Sequence, residues 1–346
     1  MKKFAKFVSF VMCIALLCAS MSIGAYAFYE PNIDDLVVTG VVDGGLTHVS
    51  SISSRNMSRI QNINSKSDEE KAMELLNSIG FECDIDSPAV ADIAKRIDKI
   101  KSVKSQQQII EMSDSGTQRI ITEEEYTEIE KKSSNSSSNV ARTAHQGSST
   151  SSNGYMQQTI MAFYLGDPEG LYRILGGCVW LKEPLVRQVD AVSLGAADSI
   201  FVWENNKDAD FYGAQTYVQT YSSGTTFSKT DIIDEAKNPP EIAEENGFFY
   251  TWRLPVNDAG IDASTSIIYS EFQYLIAGNC RVQDYDDHTQ MLSIKIRYAH
   301  AQLTPTFDIS YSISPSEDVF AITGFFPSIN VKNYYARLSW DYASEF

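Results

Sequence analysis

Apolar and polar residues alternate with period two through most of the chain beyond residue 154. Phe307, Ile309, Tyr311 and Ile313 alternate with Asp308, Ser310, Ser312 and Ser314. Leu292, Ile294, Ile296 and Tyr298 alternate with Ser293, Lys295 and Arg297. Phe248, Tyr250, Trp252 and Leu254 share one strand face, as do Tyr334, Ala336, Leu338 and Trp340. Further strands are predicted over 155–165, 171–182, 198–204, 211–221 and 265–277. Alternation with one polar face marks antiparallel sheets half open to water, so 154–346 is predicted to be a β-sandwich or jelly roll. Thr230 to Asn246, with Pro239-Pro240 and a run of acids, interrupts the pattern and predicts an exposed insertion.

The pattern before residue 133 is different. Ala72, Leu75, Leu76 and Ile79 recur at helical spacing behind Ser67 and Glu70, which together form a capping box. Gly80 offers the left-handed C-cap. A second helix is predicted from Ser87 and Pro88, with Val90, Ile93, Ala94, Ile97 and Ile100 as its apolar stripe. Residues 108–112 and 117–122 flank Ser113-Asp114-Ser115-Gly116 and predict a hairpin. Thr122 and Glu125 then cap a short acidic helix. These elements make 67–132 a small α+β module. Residues 28–66 show little periodicity and predict a loosely structured arm.

Residues 133–153 contain nine serines with few apolar side chains, the composition of a flexible linker. The expected class is therefore α+β in two domains: a small helical and hairpin module, then an all-β antiparallel domain.

The first 27 residues read as an export signal. Lys2, Lys3 and Lys6 precede an apolar run from Phe7 to about Ile23, and Ala25-Tyr26-Ala27 is a cleavage pattern. Processing is expected before Phe28, giving a secreted, extracellular chain with no membrane span after removal of the signal. The arrangement of signal, helical module, serine linker and β domain resembles that of secreted proteins of Gram-positive bacteria. That resemblance carries no activity with it.

The formal net charge of −17 at pH 7 repels phosphate backbones and excludes nucleic acid as a natural partner. Cys83, Cys178 and Cys280 remain after the signal, an odd number for an oxidising compartment. Cys178 and Cys280, both in the β domain, are the candidate disulfide pair.

The chain has no His-Glu-x-x-His, Gly-x-Ser-x-Gly, phosphate loop, dinucleotide fingerprint or Cys-x-x-Cys. No cofactor is expected. His288 and His300 are the histidines available to folded chemistry, and a Cys-His nucleophile would need one of them beside a cysteine. Asp284, Asp286 and Asp287 crowd one turn and are the candidate calcium ligands. Tyr217 and Tyr221 share strand parity with Gln215 and Gln219, Tyr269 with Glu271 and Gln273, and Tyr335 with Asn333 and Arg337. Rings beside amides and charges suit stacking on sugars or packing on a protein, so these four tyrosines are the candidate ligand-binding residues. Trp252 and Trp340 fall on core faces. The expectation is a non-catalytic binding protein for a cell-wall glycan or an extracellular protein. The alternatives are a carbohydrate hydrolase using two carboxylates, and a toxin-like or bacteriocin-like secreted protein.

Overall fold

A computed structural model of the chain describes residues 30–112, 118–136, 154–166, 170–182, 189–196, 201–203, 210–221, 223–234, 242–244, 247–253, 267–283, 287, 291–301, 311–316, 319–324 and 331–345. The expected signal, the stretch 137–153 and the acids Asp284 and Asp286 lie outside the described residues.

The chain begins with the hairpin β1 (Val38–Val42) and β2 (Thr47–Ile52), followed by helices α1 (Ser54–Gln61), α2 (Asp68–Ser78) and α3 (Pro88–Ala94). Strands β3 (Ser102–Met112) and β4 (Gln118–Ile121) lead to α4 (Glu123–Ser136). Beyond the linker come β5 (Gly154–Gly166), β6 (Leu171–Lys182), β7 (Val189–Ala196), β8 (Phe201–Trp203), β9 (Tyr212–Tyr221) and β10 (Thr226–Asp234). Then follow β11 (Ile242–Glu244), β12 (Gly247–Arg253), β13 (Ile267–Val282), β14 (Met291–Ala301), β15 (Tyr311–Ser316), β16 (Val319–Gly324) and β17 (Val331–Asp341). The protein is mostly antiparallel β with helices towards its N-terminus.

The helices start where their caps dictate. Ser67 accepts from the Glu70 N–H while the Glu70 carboxylate accepts from the Ser67 N–H at 2.7 Å, closing the capping box. Ser87 caps α3, whose first residue is Pro88. The segment 28–66, expected as a loose arm, holds β1, β2 and α1 among its described residues. Its serines and asparagines hold it together: Ser53 caps α1, and the Asn56 amide donates to the Leu36 carbonyl at 2.8 Å, 20 residues away. Met57 and Ile60 are fully buried beneath them.

The strands form a ten-stranded sheet in the order β1-β2-β3-β5-β6-β13-β9-β10, with β4 added to β3 and β8 to β13. A five-stranded sheet, β11-β12-β7-β14-β17, packs on one face of it, and β15 pairs with β16. The core between the sheets joins Met156, Ile174, Tyr274 and Ile276 to Leu194, Phe248, Ile296, Tyr298 and Ala336. On the other face of the large sheet, Leu75, Leu76, Val90 and Ile93 of the helices meet Phe163, Leu175, Leu275 and Ala277. Consecutive residues such as Ile174 and Leu175 thus enter different cores, so the central strands are buried on both faces.

Gly176 and Gly177 sit where both layers press on β6. A Cβ on Gly176 would come within 2.8 Å of Leu194 and Ile296, and one on Gly177 within 2.5 Å of Phe81. Only a residue without a side chain admits this approach.

This arrangement corrects the expected division at 133–153. β3, from the small module, pairs with β5 along its whole length, from Ser102↔Tyr164 to Met112↔Gly154. The helices expected to pack on one another also cover the β domain. The physical reason is that the helical stripes and the apolar outer face of β5, β6 and β13 bury one another in a single shared core. The expected insertion at 230–246 also departs from its reading, because β10 extends through Asp234 as an edge strand on β9. No helix among the described residues is long and apolar enough to cross a membrane.

Candidate functional site

At the β10 end of the large sheet, strand register gathers aromatic side chains. Tyr221 pairs with Ile267, Gln219 with both Tyr269 and Phe227, and Tyr217 with Lys229. Residues directly opposite across a ladder share a face, so these side chains line one surface. Gly213 has the same parity on β9, and a Cβ there would lie 2.9 Å from Tyr250 and Trp252. The surface is therefore an extension of the face that packs on the smaller sheet.

A bulge in β13 shapes it. The pairing of β13 with β9 shifts register between Ser270 and Gln273, and Glu271 takes a positive φ of 57°. Phe272 is turned into the core as a result. Tyr217 packs tilted against Phe272 at 5.8 Å and edge-on to Tyr269 at 5.7 Å. Tyr221 meets Phe227 edge-on at 5.7 Å. The rings grade from buried Phe272 through half-buried Tyr217, Tyr269 and Tyr221 to Phe227, which is 51% exposed. The Tyr217 hydroxyl donates to Asp231; burial and the Asp231 charge raise its pKa. Gln219, Lys229 and Asp231 supply amide, ammonium and carboxylate to the same shelf.

Three of the four sequence-predicted tyrosines thus come together, on a different face from the one expected. Gln215, whose amide suggests a solvent-facing position, is buried and donates to the Tyr274 hydroxyl at 3.4 Å. Tyr269 shares its face with Phe272 instead of Gln273 because of the bulge. Tyr335 stands apart, 53% exposed on β17 of the smaller sheet. Its backbone is held by glutamine side chains: Gln108 and Gln118 donate to its carbonyl at 2.9 and 3.1 Å, and its N–H donates to Gln118 at 3.1 Å.

The expected cysteine pair is not formed. Cys178 and Cys280 are both buried and are not joined by a disulfide. Cys178 lies opposite Tyr274 in the β6–β13 ladder, whereas Cys280 lies opposite Tyr172. Six strand positions separate them, roughly 20 Å at ~3.3 Å per residue, against the ~7 Å limit for a disulfide. Burial, and then the Asp190 charge, raise the Cys178 thiol pKa. Asp287 is exposed. Among the described residues no group of His, Cys, Asp and Glu is placed to hold a metal ion.

A polar network missed by sequence reasoning lies between the sheets. The Asp190 carboxylate accepts from the Tyr274 hydroxyl at 2.5 Å and from His300 Nδ1 at 2.7 Å. Burial and the Asp190 charge push the Tyr274 and Tyr298 hydroxyls well above their ordinary range. Asp190 and His300 match the acid and histidine of a hydrolytic triad in outline. The neighbouring thiol is held protonated, though, and His300 is only 3% exposed. Buried carboxylates elsewhere have their own partners: Asp92 pairs with Arg173 and Arg96 on the helical side, and Glu345 accepts from Ser102. No facing acid pair arises from these three.

No protein-family model matches the chain, and no curated protein matches it. Among solved structures it is similar to the collagen-binding subdomain of the Enterococcus faecalis surface protein ACE, at 9% identity and a TM-score of 0.24. The match covers 50% of this chain and 88% of that one. A likeness at that score carries nothing about this chain's activity.

Proposed function

We propose that the chain is a secreted, non-catalytic binding protein that holds a cell-wall glycan on the shelf formed by Tyr217, Tyr221, Phe227 and Tyr269. The observation that supports this most directly is Phe227, half exposed and set edge-on against Tyr221 at the open end of the shelf. An aromatic ring left in water beside Gln219, Lys229 and Asp231 offers an apolar platform rimmed by hydrogen-bonding groups. That combination suits the apolar face and hydroxyl edge of a sugar ring. Export by the N-terminal signal would bring it to the compartment where such glycans occur.

Retention of the chain starting at Phe28 on purified bacterial cell-wall fractions tests the proposal, with soluble sugar release assayed in parallel. Retention without release is the expected outcome. Continuous release of reducing sugar would instead support the hydrolase reading.

A further inference from the structure

The two edges of the large sheet are built differently. β10 carries exposed Lys229 and Asp231, charges that discourage a further strand from pairing. β1, at the opposite edge, reads Val38-Thr39-Gly40-Val41-Val42, and all five residues are exposed. Val38 is 65% and Val41 55% exposed. The strand has no proline, no charge and no register shift against β2. Among the described residues, nothing pairs with its outer side.

Charge around that edge is uneven. β1 runs towards exposed Asp43. A Cβ on Gly45 would lie 3.9 Å from the Thr122 methyl, which brings the Glu123-Glu124 start of α4 to the same end. The Val38 end carries both signs, with Asp34 and Asp35 before β1 and Arg55 after β2.

We propose that β1 accepts an extended segment of another protein as an added antiparallel strand, with lysine or arginine at that segment's N-terminal end. Main-chain hydrogen bonds would supply the attachment, and small apolar side chains would cover Val38, Val41 and Val42. Antiparallel addition continues the pattern of every other pairing in the sheet. It lays the N-terminal end of the incoming strand beside Asp43, Glu123 and Glu124. A second copy of the chain fits less well, because antiparallel pairing of β1 with itself would bring Asp34 and Asp35 together with Arg55 to those acids. The edge lies at the other end of the sheet from the aromatic shelf, so either surface can fail without the other.

The test uses synthetic peptides of alternating valine and threonine, with paired lysines at the N-terminal end or at the C-terminal end. Fluorescence anisotropy at low salt reads their binding to the full chain. The lysine-first peptide is expected to bind about fivefold more tightly than the lysine-last peptide, the scale of two exposed ion pairs. Val41→Lys should abolish binding of both while leaving the melting temperature unchanged, and Asp43→Asn should narrow the preference. Equal binding of a lysine-first peptide N-methylated at alternate residues would overturn strand addition. So would a wild-type dimer in sedimentation that Val41→Lys dissociates, since that would make the occupant a second copy.

Discussion

Arg173, near the start of β6, donates through both Nε and Nη2 to the carboxylate of Asp92 on α3, each at 2.9 Å. Its remaining terminal nitrogen donates to the Asp210 carbonyl at 2.7 Å and to Asn279 at 3.2 Å. Arg173 is fully buried, so this fork ties the helical layer to the large sheet at a point shielded from water. Breaking one partner of such a pair leaves the other charge buried alone. Asp92→Ala should therefore cost about 3–5 kcal/mol in chemical unfolding. A loss of only a few tenths would mean that α3 is not fixed through Arg173.

The pairing of β3 with β5 has a consequence for proteolysis. A trace of protease that cuts between 137 and 153 should leave two pieces that co-elute on native gel filtration and part only in denaturant. Their shared register runs from Ser102↔Tyr164 to Met112↔Gly154. Separation under native conditions would show two independent domains.

Thiol chemistry tests the register of β6 and β13. Burial, and then the Asp84 charge, push the Cys83 thiol up to about 12, and burial raises Cys178. The native chain starting at Phe28 should react slowly with thiol reagents near pH 8, because the thiolate is the reactive form. In denaturant without reductant, Cys83, Cys178 and Cys280 should all react. Reaction of Cys83 alone would reveal a Cys178–Cys280 bond.

Glu345 gives a pH dependence with a definite sign. Burial raises its pKa above the ordinary 4.5, against hydrogen bonds from Ser102, Tyr172 and Trp340 that lower it. The folded state therefore holds the proton to a higher pH than the unfolded state. Stability from this group is greatest in acid and is lost as pH rises from 4.5 through the folded value. The stability of Glu345→Gln relative to the parent should climb across that window and then level off. A difference that falls with rising pH would contradict the raised pKa.

Local features of the fold were legible where local chemistry decides them. The Ser67–Glu70 box, Pro88 opening α3, the period-two runs of β14 and β17, and strands at β5, β6, β9 and β13 appear as expected. Short β7 was missed, since Val189-Asp190-Ala191-Val192-Ser193 reads as a broken alternation. Its Asp190 is polar because it meets His300, 110 residues away, and no local pattern records such a partner. The tyrosine faces were misassigned for a related reason. Gln215 is polar and buried, and the bulge at Glu271 exchanges faces partway along β13. The layered burial of β6 leaves its mark in the run Leu175-Gly176-Gly177-Cys178, where both layers press on the paired glycines.

Binding by the shelf is tested most directly by Phe227→Ala and Tyr221→Ala, measured for retention on cell-wall fractions and for thermal stability. Each should weaken retention by about 1–3 kcal/mol, the scale of a binding hot spot. Melting of Phe227→Ala should barely move, since exposed substitutions usually stay within about 0.5 kcal/mol. Tyr335→Ala, on the other sheet, should leave retention intact. Trp252→Ala should cost roughly 3–5 kcal/mol of stability through the cavity it opens. Undiminished retention by the Phe227 and Tyr221 variants, at unchanged stability, would contradict the proposed site.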